Sequence, residues 1–197
     1  MRCRNVTTLE ARREQRRATL LAVGVELLGS VGRPAVTVRS VCSRASLTER
    51  YFYENFTDRD TFVRTVYREV AEGAREALVT AVGQARRPDE RARRAVTAFV
   101  ELMIDEPARG RVLLTAPFVD PALSTLGMTT MPVFVSVVGE QLESDDVDRQ
   151  LTATGVVGAI TALFTMYLDG SIEVDRQRFV DHCIGVVTSA GRGGRRA

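Results

Sequence analysis

The sequence predicts an all-α protein, and three observations carry that expectation. Apolar residues recur at helical spacing along most of the 197 residues. Strict apolar–polar alternation is rare, and the Val- and Thr-rich pieces sit inside longer helical patterns, so no strand is expected. Residues that open or close helices stand where the patterns begin and end. A chain of this length fits one domain, or a small domain joined to a larger one. At 45% hydrophobic it can bury a core.

The elements follow in order. Leu9 to Val31 reads as a helix, with Leu20, Leu21, Val23, Leu27, Leu28 and Val31 as its stripe and Arg12, Arg13, Arg16 and Arg17 near its start. Gly32-Arg33-Pro34 ends it. Thr37 caps a second helix that buries Val38, Val41 and Cys42. Ala45-Ser46 makes a turn, and Thr48 is placed to cap a third short helix by accepting from a free backbone amide. Thr57-Asp58-Arg59-Asp60 has the form of a capping box, with Asp60 reaching back to Thr57. A long helix runs from about Asp58 towards Gln84. Pro88, Asp89 and Glu90 open a helix through Val96, Phe99, Val100 and Met103. Glu106-Pro107 starts a short one, and Asp120-Pro121 another, through Met128, Met131, Phe134 and Val138. Ser144-Asp145-Asp146 caps a long uncharged helix that Gly170 terminates. Asp175 opens the last helix, and residues 191–197 form a basic tail. About nine helices result.

Charge is distributed unevenly. Residues 1–71 carry a net charge of +5 and residues 72–197 carry −3. Positive charge on the first segment supplies the phosphate attraction that nucleic-acid binding needs. Cys3, Cys42 and Cys183 show no paired spacing and read as free thiols of a reducing, cytoplasmic compartment. No cleavable leader is recognised. Leu151 to Leu168 is 18 residues without a charge, the threshold for a spanning helix. Its Thr and Gly content and its acidic flanks favour a helix buried in protein, so no membrane is expected.

No phosphate loop, carboxylate pair or Ser-His-Asp arrangement occurs, so no catalytic residue is nominated and an enzyme is not expected. His182 is the only histidine. Beside Asp181 and Cys183 it suggests a metal, but neighbouring helical residues point apart and no second histidine exists. Neither metal nor cofactor is expected.

The most informative stretch is residues 37–56. It reads as two short helices joined by a tight turn. In the second, Phe52 and Phe56 point inward and Glu49, Arg50, Tyr51, Tyr53 and Asn55 are left outward. A short propped helix with hydrogen-bonding side chains is what major-groove reading requires. Two amphipathic core helices with solvated outer faces would give the same pattern.

Over residues 15–71 the order of these parts resembles the tetracycline-repressor (TetR) family of bacterial transcription regulators. The resemblance rests on the Gly-x-Pro loop, the Thr-Val-Arg helix and the Ala-Ser-Leu-Thr turn. It continues through Tyr-Phe-Tyr-Glu-Asn-Phe and Thr-Asp-Arg-Asp. It implies an amino-terminal three-helix helix-turn-helix domain over 1–71 and a larger bundle over 72–197 for ligand binding and dimerisation. It implies double-stranded operator DNA as partner, with a homodimer released by a small apolar or amphipathic effector. Thr37, Arg39, Tyr53, Asn55 and Arg59 would then serve DNA binding, mostly through phosphates. Thr48, Glu49, Arg50 and Tyr51 would face base edges or nearby backbone. Glu49 either accepts from cytosine N4 or favours the positive helix start. Ser46 stands where the family has a turn glycine and is strained if its backbone is left-handed. Asn55 replaces the usual histidine.

Phe99, Met103, Phe118, Met128, Met131, Phe134, Phe164 and Met166, with Tyr167, read as core or as the lining of an apolar pocket. Gly155, Gly158, Ala159 and Ala162 admit a close helix, from the same subunit or from a partner. The resemblance favours a dimer seam that also includes Phe179 and Cys183. The different-class alternative is a helical small-molecule-binding protein or enzyme that does not touch DNA.

Overall fold

The computed structural model describes residues 3–30, 36–142 and 145–193, and all of their regular structure is helical. The Gly32-Arg33-Pro34 stop, Ser144 and residues 194–197 lie outside the described residues. Among the described residues, nine α-helices are ordered as α1 (Cys3–Leu28), α2 (Val38–Ala45), α3 (Glu49–Tyr53), α4 (Arg59–Gly83), α5 (Pro88–Met103), α6 (Pro107–Leu114), α7 (Ser124–Gly139), α8 (Asp146–Leu168) and α9 (Arg176–Gly193). A 3-10 turn, Ala116–Phe118, lies between α6 and α7.

Local chemistry sets most of these ends. Thr37 accepts from the Ser40 amide at 3.0 Å while Ser40 Oγ accepts from the Thr37 amide at 3.0 Å, a reciprocal cap for α2. Pro88 and Pro107 occupy first-turn positions of α5 and α6, where no amide partner is needed. Asp145 accepts from the Val147 and Asp148 amides, and Asp175 from the Arg178 amide. Gly170, at φ 82, turns the chain after α8. Ser46 does adopt the left-handed backbone, at φ 54 and ψ 37, and is the sole non-glycine with positive φ among the described residues. Its strain is the cost of lacking glycine there.

Three expected caps differ. Asp58, not Thr57, caps α4: its Oδ1 accepts from the Thr61 amide at 2.6 Å, and Asp60 pairs with Arg59 instead. Thr48 sits at the cap of α3 with an extended backbone, but its hydroxyl makes no capping bond. Asp120 does not open α7. It turns inward, and the helix starts at Ser124, while Ala116–Phe118 winds as a separate turn. The basic tail is also shorter than expected, since α9 continues through Gly193.

One core runs through the whole molecule. Leu20, Val41, Phe52, Phe62, Val66, Val100, Met103, Val112 and Phe164 are all buried in a single cluster. Residue 71 falls in the middle of α4, so a shared helix rather than a linker joins the amino-terminal unit to the bundle. The α1 helix meets α6 where Gly29 lies against the backbone of Ala108.

The α8 helix is the exception. It is long and apolar enough to cross a membrane, yet only 17% of that stretch is buried, so the protein-buried helix expected from the sequence is only partly covered by this chain. Val147, Leu151, Gly155, Ala162 and Met166 lie exposed along it.

Candidate DNA-reading helix and apolar cavity

The short α3 helix is held from behind. Phe52 is fully buried and packs against Phe56 and Phe62, with ring centroids 5.4 and 5.2 Å apart. The arginines of α1 add a polar brace. Arg13 donates to the Glu54 carbonyl at 2.6 Å. The Arg16 guanidinium lies 4.3 Å over the Tyr51 ring, and Arg17 reaches Glu69 at 3.1 Å. Aromatic packing and cation–π contacts of this kind fix a helix too short to be stable alone.

The candidate DNA-contacting residues divide into two groups. Thr37, Arg39, Thr48, Glu49, Arg50 and Tyr53 are exposed. The Thr37 hydroxyl oxygen accepts from Ser40, which leaves its proton to donate. Arg50 makes only a solvent-exposed pair with Glu54, 3.2 Å away, which water screens. Tyr51, Asn55 and Arg59 are half-buried and engaged within the protein. Tyr51 lies under Arg16, and Asn55 Nδ2 donates to the Tyr51 carbonyl at 2.8 Å.

Arg59 departs furthest from its expected part. Its Nη2 donates to Asp120 Oδ2 and its Nη1 to Asp120 Oδ1 at 3.0 Å, a two-point pair. Its Nε donates to the Val36 carbonyl at 3.0 Å, next to the cap of α2. Arg64, one turn on, donates to the Ala122 carbonyl. Asp120 is 9% exposed and the only buried charged residue among those described. Burial alone would raise its carboxyl, but the Arg59 hydrogen bonds, the Ala122 amide and the Arg59 charge together bring it below the ordinary carboxylate value. The Asp120 hydrogen bond likewise raises Arg59. Sequence reasoning missed this pair because its members are 61 positions apart.

The bundle encloses a cavity of about 470 Å³, within the range of roughly 300–1,000 Å³ usual for small-ligand sites. Phe99, Phe118, Met128, Met131 and Phe134 line it, as does Phe164. Three other expected lining residues do not. Met103 is fully buried in the core. Met166 faces outward on α8. Tyr167 stacks on Phe179 with centroids 4.2 Å apart. The walls also include Tyr67 and Leu78 of α4, Leu113 and Leu114 of α6, and Val156 and Ile160 of α8. Tyr67 was missed because it falls on the DNA-binding side of a boundary set at residue 71. Its hydroxyl faces Thr130, and burial raises its pKa above the ordinary phenol value. The outer wall is the 3-10 turn and the first half of α7, where Phe118 is 83% exposed and Pro132 interrupts the helical hydrogen bonding.

The small residues of the expected seam, Gly155, Gly158, Ala159 and Ala162, are exposed or half-exposed on α8. Phe179 and Cys183 are not available to a seam: they are 2% and 0% exposed and pack into the subunit's own core. Burial pushes the Cys183 thiol up to about 11, and burial followed by the Glu49 charge raises Cys42, so both thiols stay protonated. His182 lies on the surface, and no group of three potential metal ligands occurs among the described residues.

A helix-turn-helix unit is thus welded by a shared helix to a cavity-bearing bundle. The chain has the fold of the TetR-like transcriptional regulators. A TetR-like regulator from Rhodococcus sp. RHA1 superposes with a TM-score of 0.72 at 20% identity, over 92% of this chain and 97% of that one. A TetR-family regulator from Marinobacter aquaeolei VT8 gives 0.69 at 16% identity, over 92% and 97%. The fatty acid degradation regulator FadR from Bacillus halodurans gives 0.75 at 11% identity, over 86% and 96%. No protein-family model and no curated protein matches the sequence.

Proposed function

We propose that this protein is a TetR-family transcription regulator. In this reading it is a cytoplasmic, non-enzymatic repressor that binds a two-fold symmetric operator as a homodimer and leaves it when a small molecule fills the bundle cavity. One observation carries the reading. The α3 helix presents Thr48, Glu49, Arg50 and Tyr53 outward while its aromatic face is locked to α4, and α4 itself runs on to form the cavity wall at Tyr67 and Leu78. The net charge of +5 over residues 1–71 supports DNA as the partner.

The coupling follows from the junction. Asp120 and Ala122 hold the first turns of α4 through Arg59 and Arg64. Both lie between Phe118 and Ser124, which line the cavity. A ligand that pushes this wall outward moves the start of α4 and, with it, α3. It can do so only by binding the displaced arrangement more tightly than the other. In the DNA-bound arrangement Arg59 exchanges Asp120 for a backbone phosphate.

Substitutions on α3 test the DNA roles. Tyr53→Phe removes one hydroxyl from an exposed ring and should weaken binding severalfold on every duplex, because phosphates carry no sequence information. Arg50→Ala should instead relax preference at particular base pairs, where a side-chain contact discriminates by about 1–3 kcal/mol. Anisotropy titrations on a panel of single-base variants separate the two. Selective loss from Tyr53→Phe with uniform loss from Arg50→Ala would reverse these assignments.

The exposed apolar face of α8 supports the dimer. A side chain at Gly158 would meet nothing within 4 Å in this subunit. Gly158→Leu should therefore leave the monomer folded and raise the dimer dissociation constant at least tenfold, read by sedimentation at decreasing concentration. An unchanged constant would remove Gly158 from the seam.

A further inference from the structure

The apolar cavity has a neighbour. A second cavity of about 400 Å³ shares Leu78, Ala95, Val138, Val156 and Val187 with the first, so the two adjoin across these five residues. The second differs in chemistry. Its far side carries Arg87, Arg91, Asp89, Gln141 and Thr188. Arg87, Asp89 and Thr188 also line a surface depression with Glu90 and Arg93. Lining thus changes from wholly uncharged, through mixed, to charged and open.

The charge at that end is positive. Residues 86–94 hold Arg86, Arg87, Arg91, Arg93 and Arg94 against Asp89 and Glu90. Arg94 already takes Glu90, at 2.9 Å. Arg91 donates from Nε to the Ala85 carbonyl, which leaves its terminal nitrogens for another acceptor. Arg87 precedes Pro88 at the cap of α5 and makes no side-chain capping bond. This cluster lies in the half of the chain that is otherwise acidic, and at the end of α4 away from α3, so DNA does not account for it.

We propose that the two cavities form one site for a single-chain amphipathic anion, with an acyl chain in the 470 Å³ cavity and its anionic head between Arg87 and Arg91. The inference rests on the bundle being an effector site, and it names the class of effector. An uncharged wall takes the chain by the hydrophobic effect alone. It would leave a carboxylate or phosphate unsolvated, so the head must sit at the basic mouth. Paired guanidinium groups meet such a head with charge-assisted hydrogen bonds.

Calorimetry on the full-length protein with dodecanoate, 1-dodecanol, decanoate and dodecanoyl-coenzyme A tests this. Dodecanoate should bind roughly tenfold or more tightly than 1-dodecanol. Shortening the chain to decanoate should weaken binding roughly tenfold. Arg87→Gln, at an exposed position, and Arg91→Gln should each reduce the preference for dodecanoate over 1-dodecanol while leaving 1-dodecanol binding unchanged. Tighter binding of dodecanoyl-coenzyme A would identify a phosphate-bearing carrier as the source of the head, and weaker binding a free carboxylate. Equal affinity for acid and alcohol, or a preference untouched by both substitutions, would overturn the anionic head and leave the effector reading standing. Binding of none of the four compounds would overturn both.

Discussion

Asp120→Asn should lower the unfolding free energy at pH 7 by about 2 kcal/mol. Removing one partner of a fully buried ion pair costs about 3–5 kcal/mol. Here the Arg59 side chain keeps some access to water, which places the effect below that range and near the value for a hydrogen bond to a charged group. Asn can still accept from the Ala122 amide through Oδ1, but its Nδ2 donor replaces the oxygen that accepts from Arg59 Nη2, so the loss reports the two-point pair with Arg59. The pH dependence has a definite sign. The Asp120 carboxyl is depressed in the folded protein, so its contribution is complete above the unfolded carboxylate value near 4. It is lost as the pH falls through the lower folded value. Urea titrations should therefore separate wild type and variant at pH 7 and bring them together in acid. The same substitution should free Arg59 for a phosphate and leave operator affinity unchanged or tighter. A variant as stable as the wild type at pH 7 would show that the pair is not a structural joint.

Gly29→Ala should cost more, about 3 kcal/mol, although it adds a single methyl group. A Cβ at that position would lie 2.6 Å from the Ala108 Cα and overlap the Ala108 carbonyl oxygen. These are backbone atoms of α6 and cannot rotate away, so α1 and α6 must separate, and overpacking of this kind costs about 1–3 kcal/mol or somewhat more. Arg111 spans the same joint, donating to the Gly29 and Leu168 carbonyls. Gly73→Ala is the control. It lies inside α4 with nothing within 4 Å of a built Cβ, and there the same change should stabilise by about 0.5–1 kcal/mol. Equal denaturation midpoints for the two variants would contradict the close contact.

What the sequence disclosed follows from the range of each interaction. Helix ends set within three or four residues were legible. Thr37, Pro88, Pro107, Asp175 and Gly170 act where their neighbours placed them. The turn at Ser46 was legible for the same reason. Choosing between adjacent cap candidates was harder, because Thr57 and Asp58 both offer an oxygen and only backbone direction selects Asp58. Long-range partners left no local trace. Arg59 looked like a free phosphate ligand because nothing near it in sequence announces Asp120. Periodicity also finds an apolar stripe without saying what covers it. Phe179 and Cys183 are covered by their own subunit, whereas the apolar face of α8 is left open. Of the aromatic and methionine set, Phe164 of α8 and those on α5, on α7 and in the 3-10 turn reach the cavity, except Met103, whose place in α5 turns it into the core.

In the proposed function this protein reads DNA as a two-fold dimer. Selection of bound duplexes from a random pool, followed by titration of the winning sequence at increasing salt, tests it most directly. The selected duplexes should carry inverted half-sites about one helical turn apart or somewhat more. The log–log salt slope should be roughly −0.9 for each phosphate neutralised, with several phosphates per dimer. No enrichment, or a single unpaired half-site bound by a monomer, would contradict it.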